Sequence, residues 1–248
     1  MAVTWQRAIV VGASSGIGEA IAKRLARDGA TVALVARRQE ELQRVASEIA
    51  QPGGRAEVFV HDVLDADAAG PLFDRIVAKL GGLDVIVYAS GVLRDFAEGE
   101  WSFQKERETV EVNLVGAMAW LNPAGARFQA QQSGTIIGIS SIAGERGRRG
   151  NPSYAASKAA LTTYLESLRN RLGRYGVRVV TVKPGYIDTP MTKGKPGLFW
   201  LISADQAADR TLALARRGPK QGFVPARWGL VALVLRLIPS FVFRRLNF

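Results

Sequence analysis

The chain has 248 residues, 48% hydrophobic and 22% charged, with 33 basic against 22 acidic residues and a formal net charge of +11. That length can bury one large core, the composition excludes wholesale disorder, and the lack of cysteine excludes disulfides, a thiolate nucleophile and any cysteine-based metal site; with a single histidine, no metal is expected. The positive charge suits nucleic acid, an anionic membrane or phosphorylated ligands, but no basic helix stands alone and no aromatic residues interleave with basic ones, so nucleic acid is not an expected partner.

Short apolar, β-branched runs alternate along the chain with longer stretches of helical period, the pattern of repeated βαβ units. Residues 1–7 enter a strand pattern at once and lack the features of an export signal, so a cytoplasmic location is expected. A strand at 8–11 runs into Gly12-Ala13-Ser14-Ser15-Gly16-Ile17-Gly18 and a helix at 16–28. Three glycines between a strand and a helix N-terminus permit a sharp turn and let backbone N–H groups and the helix dipole face a phosphate. The pattern points to a pyrophosphate cradle for a dinucleotide; the plainer reading is a tight βα turn, for which one glycine would suffice.

The second strand, 31–36, ends in Ala36-Arg37-Arg38. NAD-preferring sites carry a carboxylate there for the ribose 2′-hydroxyl, whereas an arginine pair suits a 2′-phosphate, so NADP(H) is the expected cofactor. The plainer reading is that both arginines only wet the surface. A helix at 39–50 and a strand at 56–61 follow, ending at His61, which is expected to be structural. Asp62 and Val63 after this strand, and Ala89 and Gly91 after the strand at 83–88, join the expected cofactor set. Asp62 is placed to accept from an adenine amine or to cap the helix at 66–80.

A helical stretch at 113–132 contains Pro123, which costs about 3 kcal/mol or forces a kink. Strands at 135–140 and 177–183, a helix at 154–172 and a weaker strand near Phe223 complete the pattern. With right-handed crossovers this gives an α/β fold: a single-domain, doubly wound Rossmann sheet, mainly parallel, of about seven strands flanked by helices. The expected division is a catalytic domain at 1–226 and an apolar, basic tail at 227–248.

In Tyr154-Ala155-Ala156-Ser157-Lys158 the four-residue spacing puts Tyr154 and Lys158 on one helix face. A free phenol titrates near pH 10, so a nearby ammonium that stabilises phenolate is what makes it useful in acid–base chemistry. Alone, the pair would be an ordinary half-buried Tyr beside a surface Lys.

Gly12, Gly16, Gly18, Asn113, Ser141, Tyr154 and Lys158, with Pro184-Gly185 and Thr189 after the sixth strand, resemble the short-chain dehydrogenase/reductase family in order and spacing over nearly the whole chain. The resemblance implies that Ser141 hydrogen-bonds the substrate oxygen, Tyr154 exchanges its proton, Lys158 holds the nicotinamide ribose and Asn113 positions a water. It also implies that Ile187 and Thr189 meet the nicotinamide amide and that the protein forms a homodimer or homotetramer. Ser140 should point away from the side that Ser141 faces. The chain departs from the family at Tyr88-Ala89-Ser90-Gly91, where Asn-Asn-Ala-Gly is usual and only Gly91 is kept.

The segment 144–151 is basic and lies beside the expected site, which suits an anionic substrate or a merely solvated loop. Residues 228–243 are almost wholly apolar, interrupted by Arg236 and Pro239 and followed by Arg244 and Arg245. That is short for a membrane span and fits an interfacial segment at 228–246, at the inner face of the plasma membrane, or burial against a partner subunit. These features with the altered fourth-strand motif resemble the family branch that reduces decaprenylphosphoryl-2-keto-ribose, which implies a lipid-linked ketone as substrate. A soluble reductase of generic ketones, 3-oxoacyl thioesters or steroid-type alcohols, and a non-catalytic NADP-binding scaffold, are the alternatives.

Overall fold

The computed structural model describes residues 4–218 and 220–246. Residues 1–3, part of the segment expected to lack an export signal, and residues 219, 247 and 248 of the two expected segments lie outside the described residues. In chain order the elements begin β1 (Arg7–Val11), α1 (Gly16–Arg27), β2 (Thr31–Ala36), α2 (Gln39–Ala50), β3 (Arg55–Val60), α3 (Ala66–Leu80), β4 (Val85–Tyr88) and α4 (Phe103–Val110). A π-helical turn at Glu111–Val115 leads into α5 (Gly116–Gln131), β5 (Gly134–Ile139), a 3₁₀ turn at Ile142–Glu145, α6 (Pro152–Leu172) and β6 (Val177–Pro184). The two-residue strands β7 (Ile187–Asp188) and β8 (Ile202–Ser203) pair with each other, and α7 (Ala204–Arg217), β9 (Gln221–Val224), α8 (Trp228–Leu237) and α9 (Ser240–Phe243) follow.

Seven strands make one sheet in the order β3-β2-β1-β4-β5-β6-β9, and every neighbouring pair is parallel. The alternation of strand side chains divides the core between the two faces. Ala8, Val10, Val32, Leu34, Val85 and Val87 face α1, α2 and α7. Ile9, Val11, Ala33, Val35, Ile86 and Tyr88 face α3, α5 and α6. β1 and β4 are neighbours at the centre, where the order reverses, so their carboxyl ends open a crevice at the switch point.

The expected strands are found with ends shifted by one or two residues, which leaves His61 and Ser140 just past β3 and β5. Pro123 does not end its helix, since α5 runs through it at a half-buried position. The irregular turn lies upstream, around Asn113.

Candidate active site

The β1–α1 loop is shaped by close backbone approach. Gly12 has φ of +92°, and a Cβ there would lie 2.5 Å from the backbone nitrogen of Ser90. A Cβ on Gly18 would overlap the carbonyl oxygen of Gly12. Ser15 precedes α1 in extended conformation and its side chain caps no N–H, which leaves the N–H groups of the first turn for an anion.

Arg38 reaches across this loop, its Nη2 donating to Ser14 Oγ at 2.9 Å and to Ser15 Oγ at 2.7 Å. Arg37 turns the other way, its Nη1 lying 3.7 Å from Asp62 Oδ2. Asp62 does not cap the next helix: its Oδ1 accepts from Leu64 N at 3.1 Å, while Asp65 caps α3 by accepting from Ala68 N at 3.2 Å. His61 packs edge-on against Trp120 with ring centroids 5.4 Å apart, and burial lowers its pKa.

At the end of β5 the two serines diverge. Ser140 Oγ bonds the Lys158 carbonyl at 2.9 Å and the Thr162 hydroxyl at 2.8 Å, tying the strand to α6. Ser141 starts the 3₁₀ turn, its Oγ accepting from Ala143 N at 3.0 Å. Asn151 caps α6 by accepting from Tyr154 N at 3.1 Å, and Pro152 opens the helix, so Tyr154 sits in the first turn. Lys158 follows one turn later with Nζ donating to the Ile139 carbonyl at 3.0 Å and lying 5.8 Å from the centroid of the Tyr154 ring.

Burial pushes the Lys158 ammonium down to about 8. Burial also raises the Tyr154 phenol, opposed by its hydrogen bond to Ser141 and by the Arg148 guanidinium. The phenol thus stands above its ordinary value, not below it as the four-residue spacing suggests; Ser141 and Arg148 oppose the rise, while Lys158 is itself desolvated and directed at Ile139.

Asn113 is fully buried within the π-helical turn. Its Oδ1 accepts from Val92 N at 2.8 Å, and its Nδ2 donates to Val92 O at 3.1 Å and Ser157 Oγ at 3.0 Å. It therefore joins the β4 loop to α6 from behind. Tyr88 supports the same turn: its buried hydroxyl donates to the Val112 carbonyl at 2.6 Å, and a Cβ on Gly116 would come 2.6 Å from that hydroxyl. This accounts for the departure of the fourth-strand motif in physical terms, since Tyr88 fills and anchors space that Gly116 leaves open. Sequence reading missed the role, and the one available signal was an aromatic polar residue in a wholly buried strand.

The segment 144–151 is not a free basic loop. Arg146 Nη1 donates to the carbonyls of Leu235, at 2.8 Å, and of Ile238, and Nη2 to Ser240 Oγ at 3.2 Å. Arg149 donates to the Arg244 carbonyl at 3.1 Å. Glu145, almost wholly buried, pairs with Lys183 at 2.7 Å and with Arg236 of α8. Two of the three loop arginines thus hold the carboxyl-terminal arm, and Arg148 is the one that faces the pocket. Trp228 of α8 packs against the end of β6, where a Cβ on Gly185 would overlap its indole nitrogen.

One cavity of about 630 Å³ gathers these elements. It is lined by Gly12, Ser14, Ser15, Gly16, Ile17, Gly18, Arg37, Arg38, Asp62, Val63, Ala89 and Gly91 at one end, and by Ser141, Tyr154, Lys158, Pro184, Gly185, Ile187 and Thr189 at the other. Asn113 stands outside the lining. A dinucleotide fits this donor set, because the glycines let a pyrophosphate approach the backbone and Arg38 crosses to the two serines as a fork for a phosphate.

Comparison with known proteins agrees with this arrangement. The family model described as short chain dehydrogenase matches residues 6–196. An uncharacterized oxidoreductase of Mycobacterium tuberculosis is 30% identical over 247 residues, covering 98% of both chains. Among solved structures, a candidate NAD(P)-dependent gluconate 5-dehydrogenase from Beutenbergia cavernae, with bound NADP, is 31% identical with a TM-score of 0.79 over 87% of this chain and 93% of that one. A variant of the actinorhodin polyketide ketoreductase, with NADPH, is 25% identical with a TM-score of 0.80 over 90% of this chain and 97% of that one.

Proposed function

The chain belongs to the short-chain dehydrogenase family and is an NAD(P)-dependent oxidoreductase, and we propose that it uses NADPH to reduce a ketone to an alcohol, with Tyr154 as proton donor. The observation that carries this is the convergence of Ser141, Tyr154 and Lys158 on the cavity whose other end holds the glycine cradle and Arg38.

When bound, the cofactor supplies hydride. The hydroxyls of Ser141 and Tyr154 hold the carbonyl oxygen as it gains negative charge, and Tyr154 gives up its proton to the alkoxide. Burial keeps the phenol protonated beforehand, so it is ready to donate. Lys158, with Nζ 5.8 Å from the centroid of the Tyr154 ring, would hold the nicotinamide ribose. Asn113 keeps the backbone at Val92 and α6 in register. Arg38, with Ser14 and Ser15, takes the 2′-phosphate, and Asp62 lies at the adenine end.

The finer reading is a ketone bearing an anionic group and a lipid, such as a polyprenyl-phosphate-linked keto-sugar. Arg148, facing the pocket near Tyr154, supports the anion, and the apolar arm beside the 3₁₀ turn supports the lipid. The test is consumption of reduced nicotinamide with a panel of ketones, including acyl thioesters and lipid-phosphate keto-sugars, and identification of the product. An alcohol formed in step with NADPH consumption supports the proposal. Tight NADPH binding with no carbonyl reduced across the panel would instead make the chain a binding scaffold.

A further inference from the structure

The carboxyl-terminal arm is apolar on two sides. Trp228, Ala232 and Leu235 face inward, and Trp228 and Ala232 pack with Ile142. Leu230, Leu233, Val234 and Leu237, at the i, i+3, i+4, i+7 spacing of one helix face, are each between 52 and 72% exposed, and Phe241 continues the stripe at 60%. Phe199, Trp200 and Leu201 are exposed at the start of the arm, where Phe199 and Trp200 contact the inward-facing Trp228 with ring centroids 5.1 and 5.8 Å apart. An exposed apolar helix face of this kind marks an interaction site.

The charge around the strip chooses the occupant. No Asp or Glu occurs after Asp209. Arg227, packed over the Trp200 ring at 4.8 Å, stands at one end of the arm, and Arg244 and Arg245 stand exposed at the other. A second copy of the chain docking about a two-fold axis would set this basic, acid-free surface against itself. An anionic bilayer complements it. Among the described residues no helix is long and apolar enough to cross a membrane, so the contact lies in the interface plane.

We propose that α8, α9 and the segment 199–201 form a lipid-docking surface, with the leucines and Phe241 dipping into an anionic membrane and Arg227, Arg244 and Arg245 meeting its head groups. The arm is fastened to the turn that begins at Ser141 by Glu145–Arg236 and by the Arg146 bonds to Leu235 and Ile238, which sets the membrane beside the pocket. The proposal stands independently of the substrate reading.

The test is co-sedimentation of the full chain with vesicles of phosphatidylcholine alone and of phosphatidylcholine containing about one third phosphatidylglycerol, the lipid surface of low-salt partitioning. The wild type is expected to partition onto the anionic vesicles and to be released by salt. Arg244→Gln with Arg245→Gln should weaken partitioning roughly 30-fold, at about a factor of five per cation. Leu233→Ser with Leu237→Ser should abolish it, while NADPH-binding fluorescence of both variants stays at the wild-type value. Equal binding to neutral vesicles, no binding to either, or a light-scattering dimer that Leu233→Ser with Leu237→Ser splits into monomers would each overturn the proposal.

Discussion

Arg38→Ala should separate the two nicotinamide dinucleotides. In the folded protein the Arg38 guanidinium already lies across the cradle, bonded to Ser14 Oγ at 2.9 Å and Ser15 Oγ at 2.7 Å, so little ordering is needed when a phosphate arrives. Hydrogen bonds to a charged group contribute about 1.5–3 kcal/mol, and the exposed position keeps the figure at the lower end. The expected result is NADPH binding weakened about 10- to 100-fold in Arg38→Ala, with NADH binding within about twofold of wild type. Arg37, drawn 3.7 Å from Asp62, is the poorer ligand, and Arg37→Ala should weaken NADPH by only about fivefold. Titrations of wild type and both variants with NADPH and NADH, followed by nucleotide fluorescence at low and moderate salt, measure these constants. Equal losses for NADH and NADPH in Arg38→Ala, or a larger NADPH loss in Arg37→Ala, would refute the reasoning.

Gly18→Ala should weaken NADPH and NADH alike by at least about tenfold, since its Cβ overlaps the Gly12 carbonyl, whereas Gly70→Ala, with open space around it, should leave binding unchanged in the same titration. Tyr88→Phe strands the Val112 carbonyl, so thermal unfolding should show a loss of about 1–3 kcal/mol, and steady-state kinetics should show kcat falling more than KM as the Asn113 turn loosens. Lys158 carries a pH signature. Its folded value is about 8 against an ordinary value of 10.5, so below pH 8 both states are protonated and burying the ammonium costs stability in full. As pH rises from 8 towards 10 the folded state releases its proton first and the cost is relieved. Lys158→Met should therefore be more stable than wild type at pH 7, by up to about 3 kcal/mol in denaturant unfolding, with an advantage that shrinks towards pH 10. An advantage independent of pH would show that Lys158 is not titrating in this range.

What the sequence shows is mostly what the chain settles locally. The cradle is legible because Gly12, Gly16 and Gly18 answer to a turn and close approaches within a few residues. The Tyr154–Lys158 pair is legible because a helix fixes its own i, i+4 geometry. Ser140 and Ser141 both line the cavity just past β5, and their hydroxyls differ in partner, Ser140 bonding the Lys158 carbonyl and Ser141 accepting from Ala143 N. Long-range partners are hidden. Nothing near Arg146 in sequence announces that it bonds the carbonyls of Leu235 and Ile238, and a loop read as basic is in fact a clasp on the carboxyl-terminal arm. The same holds for Tyr88, whose acceptor lies 24 residues on, in a π-helical turn that no periodicity forecasts. Arg37 and Arg38 are equal in sequence, and only the directions taken by their side chains, towards Asp62 and towards Ser14 and Ser15, tell them apart.

Single-turnover oxidation of bound NADPH by Tyr154→Phe, with the best ketone of the panel, tests the assignment of the proton donor most directly. The account predicts NADPH affinity within about twofold of wild type and a rate lower by about 10²–10⁴, the size of a lost general acid. A variant that binds NADPH and reduces the ketone at the wild-type rate would contradict it and place the proton donor elsewhere.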